Sequence, residues 1–214
     1  PGTLTSSIAT VGCNLQCKYC HNPSLAKNDS SLPRYKLEEI TTFLAYRKNI
    51  LDGVTISGGE PTTQPDLFFL AKEIRKLDFQ IKLDTNGFQP QIIASLLKDN
   101  LIDYISIDIK TSEDKYYQLT KVNNKFSKIL ETISIIKDYD IEYELRTTCI
   151  PEYVTLEDLK KIKKGVGHTK KYYLQQFVNS TPLLDTEMQN IKPYSEIELK
   201  NFLEFVKTFS DVCE

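Results

Sequence analysis

An open, partial (β/α)6 barrel of the TIM-like α/β kind, with a parallel sheet inside and helices outside, is the fold that this 214-residue chain predicts. Three observations predict it. Six short β-rich runs alternate with helical patterns along the chain, the signature of βα units and a parallel sheet. The length suits six such units, since a closed eight-fold barrel typically takes ~250 residues. A distinctive polar group stands at the end of every β-rich run, where barrel-like α/β folds build their sites.

The β-rich runs are residues 7–11, 54–57, 80–84, 104–110, 142–149 and 172–177, which carry β-branched and aromatic residues and end near Gly, Asn, Asp or Pro. Helical patterns lie between them. Residues 35–47 place Leu37, Ile40, Phe43 and Leu44 on one stripe, and residues 66–77 do the same with Leu67, Leu70, Ile74 and Leu77. Further helices are expected over 90–97 and 125–137. Thr155 with Asp158, and Ser195 with Glu198, read as capping boxes that start the last two helices. Lys160, Lys161, Lys163 and Lys164 form a basic run that reads as a solvated helix face. Residues 180–193 are irregular and predict a mobile loop at the barrel mouth. One domain is expected over 1–214. Pro1 stands where an initiator Met would, so the chain is expected to be numbered from inside a longer protein, with an N-terminal strand before Pro1.

Composition excludes several classes. Hydrophobic residues are 40% and charged residues 26%, ordinary for a soluble protein. The net charge of −2 makes no electrostatic case for nucleic acid. No apolar run approaches the ~20 residues of a membrane span. No signal peptide is visible, and five cysteines with three clustered suit a reducing compartment, so a cytoplasmic location is expected.

The three clustered cysteines are Cys13, Cys17 and Cys20, in a segment with the turn residues Gly12, Asn14, Asn22 and Pro23. A loop with three thiolates can wrap around one inorganic centre. An iron–sulfur cluster held this way keeps one iron open to a ligand. Three rival readings are weaker. Spacings of four and three also share a helix face, but the turn residues oppose a helix. Structural zinc wants four ligands, and His21, adjacent to Cys20, is poorly placed as the fourth. Three clustered cysteines cannot all pair as disulfides.

The other strand ends carry their own groups. Gly58-Gly59-Glu60-Pro61 offers backbone that a ligand could approach closely, with Glu60 and bare carbonyls able to accept from an ammonium group. Asp84-Thr85-Asn86-Gly87 also reads as a turn, but a carboxylate at an inward strand end needs a partner. Asp108 and Lys110 are two apart and share a strand face, as a ligand pair or a structural ion pair. Arg146 is a charge inside a strand, and Gln175 and Gln176 close the sixth run. Cys149 reads as a small buried hydrophobe, Cys213 as part of an exposed terminus, and His168 as a surface residue.

Cys13-x-x-x-Cys17-x-Tyr19-Cys20 resembles the signature of the radical S-adenosylmethionine (SAM) enzymes, including the aromatic Tyr19 before the third cysteine. Cys20-His21-Asn22-Pro23, the stretch from Ser57 to Asp66, and Leu83 to Gly87 resemble the glycyl-radical-enzyme activases. Pro1-Gly2-Thr3 resembles the end of their N-terminal segment. Among them the chain is most similar to the anaerobic ribonucleoside-triphosphate reductase activating proteins, because it lacks inserted ferredoxin-like cysteines. The resemblance covers about residues 1–178.

The resemblance implies an open partial barrel of the radical SAM type and a [4Fe–4S] cluster on Cys13, Cys17 and Cys20. It implies SAM held by Gly58, Gly59, Glu60 and Pro61 at its amino group. Asp84, Thr85, Asn86, Asp108, Lys110 and Arg146 would line the rest of the pocket. Asp84, Thr85 and Asp108 are implied as ligands of a monovalent cation. Pyruvate formate-lyase activases carry a His where this chain has Gln175 and Gln176, one of which would replace it. The implied reaction is one-electron cleavage of SAM to a 5′-deoxyadenosyl radical that takes a hydrogen atom from a glycine Cα of a reductase subunit. A reduced flavodoxin or ferredoxin would supply the electron. Three other readings stay open: an activase of pyruvate formate-lyase or another glycyl-radical enzyme, a small-molecule enzyme resembling 7-carboxy-7-deazaguanine synthase, and a zinc-binding interaction module.

Overall fold

Seven parallel strands in sequential order build one sheet in the computed structural model, which describes residues 3–123 and 126–213. The strands are β1 (Thr5–Thr10), β2 (Gly53–Gly58), β3 (Gln80–Thr85), β4 (Tyr104–Asp108), β5 (Glu142–Cys149), β6 (Thr169–Gln176) and β7 (Ser210–Cys213). Each pairs only with its neighbours in sequence, from β1–β2 to β6–β7. The two edges, β1 and β7, do not pair, so the sheet forms an open barrel. The helices are α1 (Pro23–Ala26), α2 (Leu37–Tyr46), α3 (Leu67–Lys76), α4 (Pro90–Lys98), α5 (Tyr116–Thr120), α6 (Phe126–Asp138), α7 (Leu156–Val166) and α8 (Glu196–Val206).

The core lies between the sheet and its outer helices. Ile56, Leu83, Ile105, Ile107 and Leu145 of the strands pack with Ile74, Ile93, Ile129, Ile136, Leu159 and Ile162 of the helices, all fully buried. Full burial of such side chains contributes ~1.5–3 kcal/mol each. Both expected capping boxes form. Thr155 and Asp158 exchange bonds at the start of α7, as Ser195 and Glu198 do at α8.

Several expectations are corrected. A seventh strand follows the six, placing Cys213 in β7 rather than in an exposed tail. β6 starts at Thr169, earlier than expected, and β4 ends at Asp108. Only Leu44 of the predicted α2 stripe is buried, and Phe43 is 44% exposed under the Arg47 guanidinium. Residues 179–191 are tied down rather than hanging free. Asn179 donates to the carbonyls of Gln189 and Ile191, while Leu183 and Met188 are buried. The helix start expected at Lys125, and Pro1 and Gly2, lie outside the described residues. No helix among the described residues is long and apolar enough to cross a membrane.

One backbone contact positions the future site. The Gly58-Gly59 turn lies directly on the main chain of residues 10–12. Gly59 N donates to the Thr10 carbonyl and Glu60 N to the Gly12 carbonyl, each at 2.9 Å. A Cβ on Gly59 would fall 2.1 Å from the Gly12 oxygen, and one on Gly58 (φ 112°) 2.4 Å from the Thr10 nitrogen. Gly59→Ala is therefore expected to lose about 3 kcal/mol of stability, the upper range for overpacking. Urea unfolding of the metal-free protein measures it, and a loss below about 0.5 kcal/mol would mean that the two turns part freely.

Candidate active site

The loop after β1 carries Cys13, Cys17 and Cys20, all free thiols. Cys17 is buried, and Cys13 and Cys20 are half-buried. The loop is held from three sides. Gln16 N and Lys18 N donate to the Thr120 and Leu119 carbonyls at the end of α5. Leu184 N and Asp185 N donate to the carbonyls of Cys20 and Lys18. Gln64 Nε2 donates to the Val11 carbonyl at 2.7 Å. Burial raises the Cys13 thiol and pushes the Cys17 thiol up to about 12, while the Lys110 ammonium pulls both back. Neighbouring thiols add to the rise at Cys13 and Cys17 through space. All three thiols lie on the one loop between β1 and α1.

Glu60 clasps this loop to the β3 end. Its carboxylate is 1% exposed. Oε1 accepts from Thr62 N (3.1 Å), Thr62 Oγ1 (2.6 Å) and Thr85 Oγ1 (2.7 Å), and Oε2 accepts from Asn86 N at 2.7 Å. Burial pushes this carboxyl above its ordinary value, against those four donors. Asn86 Nδ2 then donates to Asn14 Oδ1 at 2.7 Å, beside Cys13. The carboxylate expected to accept from a ligand is spent inside the fold. The side chains of Thr85 and Asn86 are likewise engaged, and Pro61 opens the short turn Pro61–Thr63.

A second network fills the inner face of the sheet. Alternation and register put Lys82 and Asp84 of β3, Ser106 and Asp108 of β4, and Glu144 and Arg146 of β5 on one face. Arg146 Nε donates to Asp108 Oδ1 at 2.8 Å, with Nη1 3.6 Å from Asp84 Oδ1 and 3.7 Å from Glu144 Oε1. Lys110 Nζ reaches Asp108 Oδ2 at 3.2 Å and sits 5.9 Å from the centre of the Tyr19 ring. Deeper in, Glu144 accepts from Lys82 (3.0 Å), Tyr104 (2.8 Å) and Ser106. Asp84 Oδ1 is buried without a hydrogen-bond partner. Burial would raise the Asp108 carboxyl, but Lys110 and Arg146 outweigh it and hold it low. The Glu144 carboxyl is also low, its bonds from Ser106, Tyr104 and Lys82 overcoming burial.

Register separates the two glutamines. Gln175 pairs with Thr148 and shares the inner face with Arg146, whereas Gln176 is out of phase and donates to the carbonyls of Phe177 and Tyr194. Thr85 Oγ1 turns to Glu60, so it does not join Asp84 and Asp108. Sequence reasoning missed Asn14, which reads as a turn residue, and Thr62. It also missed Lys82, Tyr104, Ser106 and Glu144, although the i, i+2 spacing to Asp84, Asp108 and Arg146 carried that signal.

A parallel open barrel with a three-thiol loop at the end of its first strand defines a class. The Radical SAM superfamily model matches residues 7–164. A Methanocaldococcus jannaschii protein, provisionally named a glycyl-radical enzyme activating enzyme, is 33% identical over 216 residues, 99% of this chain and 88% of that protein. The pyruvate formate-lyase-activating enzyme of Clostridium pasteurianum is 27% identical over 183 residues, 81% of this chain and 75% of that enzyme. Streptococcus suis SuiB bound to S-adenosylmethionine superposes with a TM-score of 0.74 at 16% identity, a likeness of fold. It covers 99% of this chain but 50% of SuiB, so the chain spans about half the length of that protein. This chain belongs to the radical SAM superfamily. Membership implies a [4Fe–4S] cluster and SAM. The donor set fits, with three free thiols on one loop, Cys17 buried and Cys13 and Cys20 half-buried.

Arg146 balances three carboxylates, so Arg146→Met should cost about 3 kcal/mol at pH 7, as for breaking a buried pair. Asp108 and Glu144 titrate low in the folded protein, so their stabilisation is present above the unfolded value of ~4 and is lost as pH falls through the folded one. Without Arg146 their folded values rise, and the gap to wild type should narrow as the pH is lowered from 7 to 4. Urea unfolding at three pH values reads the gap, and one independent of pH would refute this electrostatic account.

Proposed function

We propose that this protein is a glycyl-radical-enzyme activase. Cys13, Cys17 and Cys20 would hold the [4Fe–4S] cluster, and the polar inner face of the barrel would hold SAM. The observation that carries the reading is the three-thiol loop seated on the Gly58-Gly59 main chain, at the mouth of a barrel whose lateral edges stay open. When bound, the cluster and SAM supply one-electron cleavage of the sulfonium C–S bond, which releases methionine and a 5′-deoxyadenosyl radical able to take a hydrogen atom.

The chain's own residues would bind, orient and shield. The main chain of Gly58 and Gly59 lines the mouth beside the loop and offers carbonyls to the SAM amino group, with Glu60 and Pro61 holding that turn in place. Asp84, Asp108, Lys110, Arg146 and Gln175 would face the rest of SAM, with Lys110 as the cation for its carboxylate or ribose. Tyr19, 6% exposed, would shield the loop from water. A monovalent cation beside Asp84 and Asp108 belongs to the same reading. The Thr85 hydroxyl is committed to Glu60 and offers such a cation nothing.

The hydrogen donor proposed is a glycine Cα in a loop of a glycyl-radical enzyme, specifically an anaerobic ribonucleotide reductase. An open barrel suits a protein loop as substrate. The relatives named for activating enzymes support the class, and the absence of inserted cysteine motifs from the sequence favours the reductase partner. A cytoplasmic location and reduction by a flavodoxin or ferredoxin complete the proposal.

Anaerobic reconstitution with SAM, dithionite and the reductase should produce a glycyl-radical doublet in electron paramagnetic resonance. Cys13→Ala, Cys17→Ala and Cys20→Ala should each abolish both the doublet and 5′-deoxyadenosine formation. Full SAM cleavage in any of them would overturn the cluster assignment. SAM cleavage without a doublet on the reductase, but with one on pyruvate formate-lyase, would move the partner and keep the chemistry.

A further inference from the structure

Asp158, in the first turn of α7, is as deeply buried as Glu60, each 1% exposed. A capping box needs only its bonds with Thr155, whose N and Oγ1 donate to Oδ2 at 2.8 and 2.7 Å. Two further donors come from outside α7. Ser112 Oγ donates to Oδ1 at 2.6 Å, and Lys115 Nζ donates to Oδ2 at 2.8 Å. Burial would raise this carboxyl, but Lys115, Ser112 and Thr155 outweigh it and hold it low. The demands of a helix cap explain neither of the two outer bonds.

Both outer donors belong to the connection after β4, which carries Lys110. Residues 109–112 form no helix or strand, so bonds to neighbouring segments set their course. Ile109 N donates to the Arg146 carbonyl at 2.8 Å, and Lys110 N to Tyr116 Oη at 3.1 Å. Thr111 Oγ1 donates to the Tyr153 carbonyl, and Ser112 beside it is fully buried. Lys115 Nζ also donates to the Glu152 carbonyl at 2.7 Å. Asp158 therefore ties the connection after β4 to the turn after β5. Tyr153 carries the tie on to the cysteine loop, because Lys18 Nζ donates to its hydroxyl at 3.1 Å. The Lys110 side chain is 16% exposed, with Nζ 3.2 Å from Asp108 Oδ2.

We propose that Asp158 is a positioning residue for the SAM site, which acts through Ser112 and Lys115 to set where Lys110 stands. The inference rests on the reading above of Lys110 as the cation for the SAM carboxylate or ribose. A lysine ammonium rides on a flexible four-carbon stem, so its main chain must be fixed before the charge can be placed. Ser112 is two residues from Lys110, and Thr111 between them is pinned to the turn after β5. Releasing Asp158 frees the far side of this segment and lets Lys110 drift from the anion it meets. Groups that bind a ligand must hold their geometry to within about 0.5 Å. The clasp acts on how SAM is held, so it governs affinity rather than the rate of cleavage once SAM is bound.

The test measures SAM binding to the reconstituted protein by equilibrium dialysis without reductant, and stability of the metal-free protein by urea unfolding. Asp158→Asn keeps the shape of the side chain and removes the charge that holds Lys115. Its SAM affinity should fall about tenfold, the size of one lost charge-assisted hydrogen bond. With SAM saturating and dithionite added, 5′-deoxyadenosine should form at the wild-type rate. Ser112→Ala leaves the helix cap intact and should weaken SAM binding in the same direction; it carries the comparison if Asp158→Asn does not fold. Thr155→Ala weakens the cap without touching the outer bonds, so it should lose stability and keep wild-type affinity. In a Lys110→Met background, Asp158→Asn or Ser112→Ala should cost no further affinity, because the ammonium they position is gone. Equal losses with and without Lys110 would overturn the inference, as would wild-type affinity in both clasp variants. An affinity loss in Thr155→Ala that tracks its lost stability would overturn it too, and leave Asp158 a helix cap. Lys110→Met binding SAM as tightly as wild type would instead refute the reading of Lys110 on which the inference rests.

Discussion

The buried Glu60 carboxylate is the constraint on which the rest of the site depends. A carboxylate taken from water survives only if its lone pairs are met, and here four donors meet them. Those donors come from two strand ends, β2 and β3, so the carboxylate fixes the distance between two turns. Asn86 extends the clasp to Asn14 and therefore to the cysteine loop. Because Gly58 and Gly59 lie flush on residues 10–12, the loop cannot shift without opening this network. The fold thus ties the cysteine loop to two neighbouring strand ends, and preorganisation of this kind lowers the ordering cost of binding.

The inner face solves a different problem. Charges on three adjacent strands are brought together by nothing more than the two-residue period and parallel register. Arg146 and Lys82 offset Asp84, Asp108 and Glu144, which keeps the inner face polar without an unpaired ion deep in the fold. One atom, Asp84 Oδ1, lies within ion-pair reach of Arg146 Nη1 (3.6 Å) and Lys82 Nζ (3.8 Å) but accepts no hydrogen bond. An orphaned buried oxygen at the strand-end level is a cost to folding. It is also a standing acceptor for whatever cationic or donor group enters the mouth.

Much of this was legible before the structure. The alternation of β-rich and helical runs identified six strands, and the capping boxes at Thr155 and Ser195 located two helices. The missed β7 has four residues and a single branched apolar side chain, too little for a periodicity signal. The polar groups at strand ends were legible as a set, but their division of labour was not. Sequence order cannot tell whether Glu60 faces a ligand or its neighbours, since the donors from Thr85 and Asn86 lie some 25 residues away. Nor can it choose between Gln175 and Gln176, because a one-residue change of phase reverses which side chain points inward. Only the register with Thr148 decides it.

The 179–191 segment gives the arrangement its functional sense. Two backbone bonds from Leu184 and Asp185 bind it to the carbonyls of Cys20 and Lys18, and Lys18 in turn bonds Tyr153 in the connection after β5. The loop is therefore clamped on its outer side by a segment that follows β6 and on its inner side by the Glu60 clasp. Ordering on both sides of three thiols shields them while leaving the barrel edges β1 and β7 unpaired. Rigidity is concentrated at the three thiols, and access is left at the unpaired edges of the sheet. A barrel closed by an eighth strand could keep the first property but would lose the second.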